Sequence, residues 1–431
     1  MLSHGNLLAD ANCIVYLGKK KRLFEIRQDD VHVSYLPLAH MFERIVQTFV
    51  LANGAAVGFY QGDTNKLLDD ISVLRPTLFV SVPRLLNRIY DKVTASIEQK
   101  GGLSKMLFDM AYSSKKAYLA QGYVTHWLWD ALVFSKVKAR LGGRVRTIVT
   151  GSAPISPDVM DFLRIAFACE VYEGYGQTET SAGAFLTETG DLTAGHVGTP
   201  LPVNLVKLVD VPDMNYTSQD KPYPRGEICF KGSNVTIGYF KNSEKTKEDI
   251  DEDGWLHSGD IGLWDEYGRL RIIDRKKNIF KLAQGEYVAP EKVENVYQKN
   301  QYVAQAYVHG DSLKASLVGI FVPDEEILMP WCKANNIPGT KLADVINNPA
   351  VIKHILTDAN ATAKAAGLKG FELVRRVTLV AEPFSVENDI LTPTFKLKRN
   401  IAKKVFQAQI DAMYAELDAE EAEQKKKLAQ E

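Results

Sequence analysis

An α/β fold is predicted for this chain, with a large parallel-sheet domain, a β-rich subdomain and a smaller α+β domain at the C-terminal end. Three changes of texture predict it. Up to about residue 200, short β-branched apolar runs alternate with helical patterns, as in a parallel sheet with crossover helices. Residues 201–274 carry short alternating strands with turn residues between them, and residues 275–431 mix helices with strands.

The elements follow from residue order. Ile45 to Tyr60 contains Gln47, Thr48, Asn53 and two glycines and is shorter than the roughly 20 apolar residues that cross a bilayer, so it reads as a buried helix leading into a strand. Leu78 to Val82 is a buried-strand pattern. Pro83 then suits the first turn of a helix with Leu85, Leu86, Ile89, Val93 and Ile97 at helical spacing. Val145 to Val149 repeats the scheme: after TGSAPI, Ser156 is placed to cap and Pro157 to open a helix whose apolar face includes Val159, Phe162, Leu163 and Phe167. A third strand begins at Glu170 and runs into GYGQTET. LVKLVD, GEICFKG and RLRIID, with the turn DEYG at 265–268, form the β-rich part. DRKKN, the helix PEKVENVY, the strands AQAYVHG, SLVGIFV and VRRVTLV, and a charged helical tail from Gln409 complete the chain. The tail reads as solvated helix. Trp127, Trp129, Leu132, Val133 and Phe134, followed by Lys136, Lys138 and Arg140, read as a core-facing stripe more readily than as a membrane-surface helix.

Composition bounds the function. The 431 residues are 45% apolar and 24% charged, which excludes disorder throughout, collagen and coiled coil. With 52 Lys and Arg against 53 Asp and Glu, the net charge of −1 supplies no global attraction for nucleic acid. Cys13, Cys169, Cys229 and Cys332 are too widely spaced for a zinc site or a small disulfide framework and read as reduced structural thiols. The N-terminal residues lack a basic n-region, and no peroxisomal, retention or prenylation signal ends the chain.

Three constellations carry chemistry. TGSAP at 150–154 and EGYGQTET at 173–180 each follow a predicted strand, where open parallel sheets bind ligands and glycines let a ring or phosphate approach the backbone. Tyr175 offers a stacking face, Thr178 a hydroxyl, and Glu179 an oxygen suited to Mg²⁺. Either segment alone reads more readily as a polar loop with turn glycines. In GWLHSGDIG, Asp260 stands between a glycine and an apolar strand, where a carboxylate accepts hydrogen bonds from ribose or where simple turn chemistry puts an Asp. Lys396 in LTPTFKLKR follows a Pro-containing turn, and DRKKN sits where two textures meet; both read as solvated basic runs or as a mobile ammonium and a hinge.

The ordered set MLSHGN, YLPLAH, TGSAP, YGQTET, GHVGTP, GEICFKG with GYF, GWLHSGD, DRKKNIFKLAQGEYVAPEKVE and LTPTFKLKR resembles the adenylate-forming superfamily and, within it, the long-chain fatty acyl-CoA synthetases, from residue 1 to about 415. The resemblance implies ATP, CoA and Mg²⁺ as cofactors and a long-chain fatty acid as substrate. The acid is joined to AMP with loss of pyrophosphate and is then transferred to CoA. It assigns adenine packing to Tyr175, with Gly151, Ser152, Glu173, Gly174 and Gly176 lining the pocket. Thr178 and Glu179 match the phosphate and Mg²⁺ residues, Asp260 and Arg275 the ribose residues, and Lys396 the lysine that assists adenylation. Asp274 matches the hinge about which the C-terminal domain moves. Lys277 and Lys281 match further nucleotide-contacting lysines, while Gly285, Tyr287 and His40 border the CoA or acyl site.

The resemblance further implies an intracellular, membrane-associated protein with a membrane surface as partner and no nucleic acid; it identifies no protein partner or organelle. It also implies a Ser/Thr/Gly-rich phosphate loop just ahead of MLSHGN. The large domain is therefore expected to be truncated at its start and adenylation by this chain severely impaired. The other readings are a nucleotide- or acyl-binding protein without full catalysis and a ligase for another carboxylic acid.

Overall fold

Five strands, β1 (Val31–Ser34), β2 (Ala56–Phe59), β3 (Leu78–Ser81), β4 (Thr147–Thr150) and β5 (Glu170–Tyr175), pair in parallel in the order β2-β1-β3-β4-β5. Two short antiparallel strands, β6 (Phe185–Leu186) and β7 (Thr199–Pro200), extend the sheet beyond β5. The computed structural model describes residues 1–428, and the side chain of Asp274 lies outside the described residues. The chain divides into two compact units, Met1–Ile272 and a second from Ile273 onward.

Local chemistry accounts for the elements around the sheet. All four residues of β3 are buried, as are those of β4, so these central strands are covered on both faces and show no alternation of buried and exposed residues. Pro83 opens the helix Pro83–Lys100, which buries Leu86, Ile89 and Val93. Ser156 accepts a hydrogen bond from the Val159 amide at 3.3 Å, and Pro157 opens the helix Pro157–Phe167, which lies between β4 and β5 in sequence. The apolar stretch after residue 40 is the helix Met41–Ala52 followed by β2. Among the described residues, no helix is long and apolar enough to cross a membrane.

The β-rich part is a four-stranded sheet of β8 (Asn204–Val209), β9 (Arg225–Gly232), β10 (Leu256–Trp264) and β11 (Leu270–Arg275), in the order β11-β10-β9-β8. Phe185, Val197, Ile228, Phe230, Leu256 and Leu270 form its core, with Tyr175 packed at the edge. The end of β5 is therefore held against the β-rich sheet.

In the second unit, β12 (Phe280–Lys281) and β13 (Tyr287–Val288) make a hairpin, and β14 (Val303–His309), β15 (Leu317–Pro323) and β16 (Val374–Leu379) make a sheet in that order. Alternation along β15 builds two cores. Leu317 and Phe321 face one side with Val293, Tyr297 and Ile355; Val318, Ile320 and Val322 face the other with Phe384, Ile410 and Met413.

Two expectations are corrected. The helix Gln407–Leu428 is docked through Ile410, Met413 and Tyr414, and its acidic residues Glu416, Asp418 and Glu420 pair with Arg376 and Lys314, so the helix as far as Glu420 is part of the unit rather than a solvated tail. The stripe at 127–134 is not core throughout: Phe134 is buried, but Trp127 and Leu132 stand in solvent. A π-helical turn at Asp130–Phe134 rotates the residues after Trp129 away from ordinary helical phase.

Candidate functional site

The register of the parallel sheet brings the two glycine-bearing segments together. Thr150 pairs with Glu173, so TGSAP and EGYGQTET leave β4 and β5 side by side at the carboxyl edge of the sheet. A Cβ on Gly151 would stand 3.0 Å from the Gly174 carbonyl oxygen, and one on Gly176 only 1.9 Å from that of Ala182. Backbone approach therefore requires glycine at Gly176. Ser152 is held at φ +71°, a left-handed conformation that costs a non-glycine residue on the order of 1 kcal/mol or more and that tends to occur where a site over-determines the backbone. His40, after β1, caps the next helix by accepting from the Phe42 amide at 3.2 Å through Nδ1. The Phe42 ring then reaches the Gly151 loop.

Asp260 joins this cluster from 85 residues away. The Tyr175 hydroxyl donates to its Oδ2 at 2.7 Å, and Gln177 Nε2 donates to the same oxygen at 2.7 Å and to the Ser258 carbonyl at 2.9 Å. Asp260 is buried. It lies inside β10 rather than ahead of a strand, at an irregularity in the pairing with β9 between His257 and Ile261, where Gly259 adopts φ +69°. This bulge re-aims the carboxylate toward Tyr175. The Tyr175 ring also packs near Phe185 and Phe230, at centroid distances of 6.2 and 6.1 Å, which fixes its plane.

Glu173 is buried, its Oε2 has no hydrogen-bond partner, and burial pushes its carboxyl up to about 8. An orphaned polar atom at the end of a strand, beside the equally buried and partnerless Thr150 Oγ1, marks a place where a ligand's donors and acceptors would be satisfied.

Thr178 and Glu179 begin a single 3-10 turn, Thr178–Thr180. Thr178 is exposed and Glu179 half-buried. The Tyr239 hydroxyl lies 2.9 Å from Glu179 Oε1 and 2.8 Å from Asp249 Oδ2; burial and these two carboxylates push its phenol pKa up. Asn234 pins the turn by donating to the carbonyls of Thr180 and Gly183, at 2.9 and 2.7 Å. The start of the chain packs beside it: Thr236 donates through its amide to the Glu179 carbonyl and through its hydroxyl to that of Met1, both at 2.7 Å. Among the described residues no cluster of three metal-ligating side chains occurs. One half-buried carboxylate beside an exposed threonine hydroxyl nevertheless fits Mg²⁺, which takes one or two protein carboxylates and completes its shell with phosphate and water.

The remaining expected residues belong to the second unit. The Arg275 carbonyl accepts from the Asn278 and Ile279 amides at 2.9 and 3.0 Å, closing a turn on which Lys277 is exposed. Lys281 and Tyr287 face each other across the β12–β13 hairpin, with Nζ 5.1 Å from the ring centroid, and Gly285 supplies φ +92° at its turn. Lys396 lies in a second tight turn. Its amide donates to Thr392 Oγ1 at 3.0 Å, its carbonyl accepts from the Thr392 amide at 2.8 Å, and Phe395 before it has φ +61°. Arg399, just beyond, pairs with the buried Glu294 and anchors this turn to the helix Pro290–Tyr297.

The structure thus gathers Gly151, Ser152, Glu173, Gly174, Tyr175, Gly176, Thr178, Glu179 and Asp260 in the first unit, with His40 alongside. Gln177, Tyr239, Asp249 and Asn234 were missed. Gln177 and Tyr239 stand within the quoted motifs YGQTET and GYF, but only their partners distinguish them from loop residues.

Comparison with known proteins identifies the family. The profile of the family described as "AMP-binding enzyme" matches residues 1–240. The chain is 53% identical over 419 residues to "Long chain acyl-CoA synthetase 7, peroxisomal" of Arabidopsis thaliana, covering 97% of this chain and 59% of that protein. It is 51% identical over 416 residues to the human "Long-chain-fatty-acid--CoA ligase 6", covering 96% and 58%. The chain therefore spans somewhat under three fifths of the length of these curated relatives. Among solved structures, the adenylation domain of a carboxylate reductase from Mycobacterium chelonae superposes with a TM-score of 0.76 at 28% identity, over 94% of this chain and 57% of that one. The corresponding domain from Segniliparus rugosus, solved with AMP and a co-purified carboxylic acid, gives 0.73 at 29%, over 90% and 55%. With strands, glycine loops and the Tyr175–Asp260 contact in one parallel-sheet unit, and a family match across more than half of its residues, the chain belongs to the AMP-binding enzymes of the adenylate-forming superfamily.

Proposed function

We propose that this chain serves the ATP-dependent activation of a long-chain fatty acid to its CoA thioester. In the first step a carboxylate oxygen forms a bond to the α-phosphorus of ATP and the bond to the β-phosphate oxygen breaks, releasing pyrophosphate. In the second, the CoA sulfur bonds to the acyl carbon, AMP leaves with the electron pair of the broken C–O bond, and the thiol proton passes to solvent. The observation that carries the reading is the Tyr175–Asp260 hydrogen bond at 2.7 Å, which unites two motifs 85 residues apart around one buried carboxylate.

The roles follow the chemistry of the groups. Tyr175 presents a ring fixed in plane to a purine, and Asp260 accepts from ribose hydroxyls, exchanging for them the donors it now holds. Glu179 with Thr178 would hold Mg²⁺, which when bound offsets charge on the phosphates. Glu173, Gly151, Ser152, Gly174 and Gly176 shape the floor of the pocket, and His40 borders the acyl chain. To Lys396 we assign neutralisation of charge during adenylation, because a lysine ammonium is a compact point charge. Arg275, Lys277 and Lys281 are assigned to the nucleotide, Gly285 and Tyr287 to the CoA step, and Asp274 to the hinge between the two tasks. A fatty acid of this kind resides in lipid, so a membrane surface is the partner we propose with it.

Calorimetric titration with AMP tests the nucleotide site. Asp260→Ala is expected to weaken binding by about 10- to 100-fold, the range for losing hydrogen bonds to a charged group. Transfer from synthetic palmitoyl-AMP to CoA tests the second step independently of pyrophosphate release, and acyl-AMPs of graded chain length test the substrate class. Equal AMP affinity for wild type and Asp260→Ala contradicts the nucleotide assignment; faster transfer from short or aromatic acyl-AMPs contradicts the long-chain one.

A further inference from the structure

The helix Gly102–Leu119 buries Ala111, Lys115 and Leu119 on one face. At 100° per residue, an arc of about 140° beside that buried face carries Leu103, Met106, Leu107, Met110, Ser113, Ser114, Ala117 and Tyr118, with no charged residue among them. A surface helix normally turns charged and polar side chains to water there. Instead Leu103, Met106, Leu107 and Met110 are 67, 52, 40 and 52% exposed. The helix cannot roll to hide them. Buried Lys115 donates to Asp130 at 2.5 Å and to the Ile165 carbonyl at 2.7 Å, tying the buried face to the helix Pro157–Phe167 and to the turn at Asp130–Phe134. Beyond the helix, Trp127 is 82% and Leu132 64% exposed, and the Tyr118 ring packs at a tilt against those of Tyr123 and His126.

We propose that this outward face of Gly102–Leu119, with Tyr118, Tyr123 and Trp127 at its end, is the surface by which the protein docks on an anionic lipid bilayer. Charge decides for lipid over a second copy. Residues 92–140 hold eight Lys and Arg against three Asp and Glu in a chain whose net charge is −1, so the apolar row sits in a locally basic setting. Two such faces would repel each other, whereas anionic headgroups attract them. Exposed Lys100, Lys116, Lys136 and Arg140 are available to headgroups, and Tyr and Trp rings, with an apolar body and a polar edge, favour the depth at which the headgroups lie. A row from Leu103 to Tyr118 spans about 20 Å, enough to lie along a bilayer surface without crossing it. The inference rests on the membrane-partner reading above but not on the ligase activity.

Cosedimentation with vesicles of phosphatidylcholine and phosphatidylserine, against vesicles of phosphatidylcholine alone, tests it in the absence of nucleotide. The 431-residue chain is expected to bind the mixed vesicles, more weakly at high salt, with a blue shift of tryptophan emission that Trp127→Phe removes. The double variant Leu107→Asp, Met110→Asp is expected to lower partitioning by about tenfold or more, while thermal unfolding followed by circular dichroism is unchanged because both side chains are exposed. Undiminished vesicle binding by the double variant overturns the assigned surface alone. Failure of the wild-type chain to bind either vesicle overturns the surface and the membrane partner together. Concentration-dependent dimerisation in sedimentation velocity that the double variant abolishes, without vesicle binding by either protein, gives the face to a second copy and also overturns the proposal.

Discussion

Glu173 shows how one side chain in the cluster is tuned. Its place at the end of β5 removes it from water, and burial dominates over the opposing effects of the Ile155 backbone hydrogen bond and the Arg164 charge, lifting the carboxyl from 4.5 to about 8. It is therefore protonated near neutral pH and able to donate as well as accept. The unfolded chain releases this proton near pH 4.5 while the folded chain keeps it until about pH 8. Between those values the native state binds more protons, so stability is greatest at the acid end of the window and falls as pH rises. The loss is expected to be on the order of 5 kcal/mol over the window. Thermal melts of wild type and Glu173→Gln across pH 5 to 8.5 check this: the difference in Tm between them is expected to shift in favour of the Gln variant as pH rises. Sequence marked Glu173 as a pocket residue only through its motif, because a glutamate's type cannot report that its oxygen is left without a partner.

The helix Pro157–Phe167 shows the same division at the scale of an element. Ser156, Pro157 and the spacing of Val159, Phe162, Leu163 and Phe167 were enough to place it. Arg164 within it was invisible as a core residue, since arginine on a helix ordinarily marks the solvated side. Here it is fully buried and donates to the carbonyls of Leu192 at 2.6 Å and Val171 at 3.3 Å, tying the helix to β5 and to the loop after β6. Arg164→Leu removes the donors and leaves those carbonyls unsatisfied, for an expected loss of about 3 kcal/mol, read as a lower midpoint in urea unfolding with unchanged slope. Asp260 is a related case. Its motif was legible, but its position inside β10 depends on a bulge that follows from pairing with β9, and strand periodicity does not reveal a bulge. The stripe at Trp127 failed for a third reason: apolar spacing says that a face exists and not what covers it.

Each of the two units has buried clusters of its own, and those of the second do not draw on residues of the first. Calorimetry is accordingly expected to resolve two unfolding transitions. Phe321→Ala, which empties the core under β15, is expected to cost about 3–5 kcal/mol and to lower one of them. A single transition shifted as a whole would show that the units unfold together. What the sequence by itself determined is the order of textures, the parallel-sheet class, the caps and turns, and the motif segments that carry the site, because these depend on residue type and short-range periodicity. Only the tertiary structure decided that Tyr175 and Gln177 meet Asp260, that Glu173 is left unsatisfied, that Arg164 is core and that the Leu103–Met110 row is not. Each of these depends on which distant segment lies opposite, and burial, not residue type, sets the energy of a polar or apolar group.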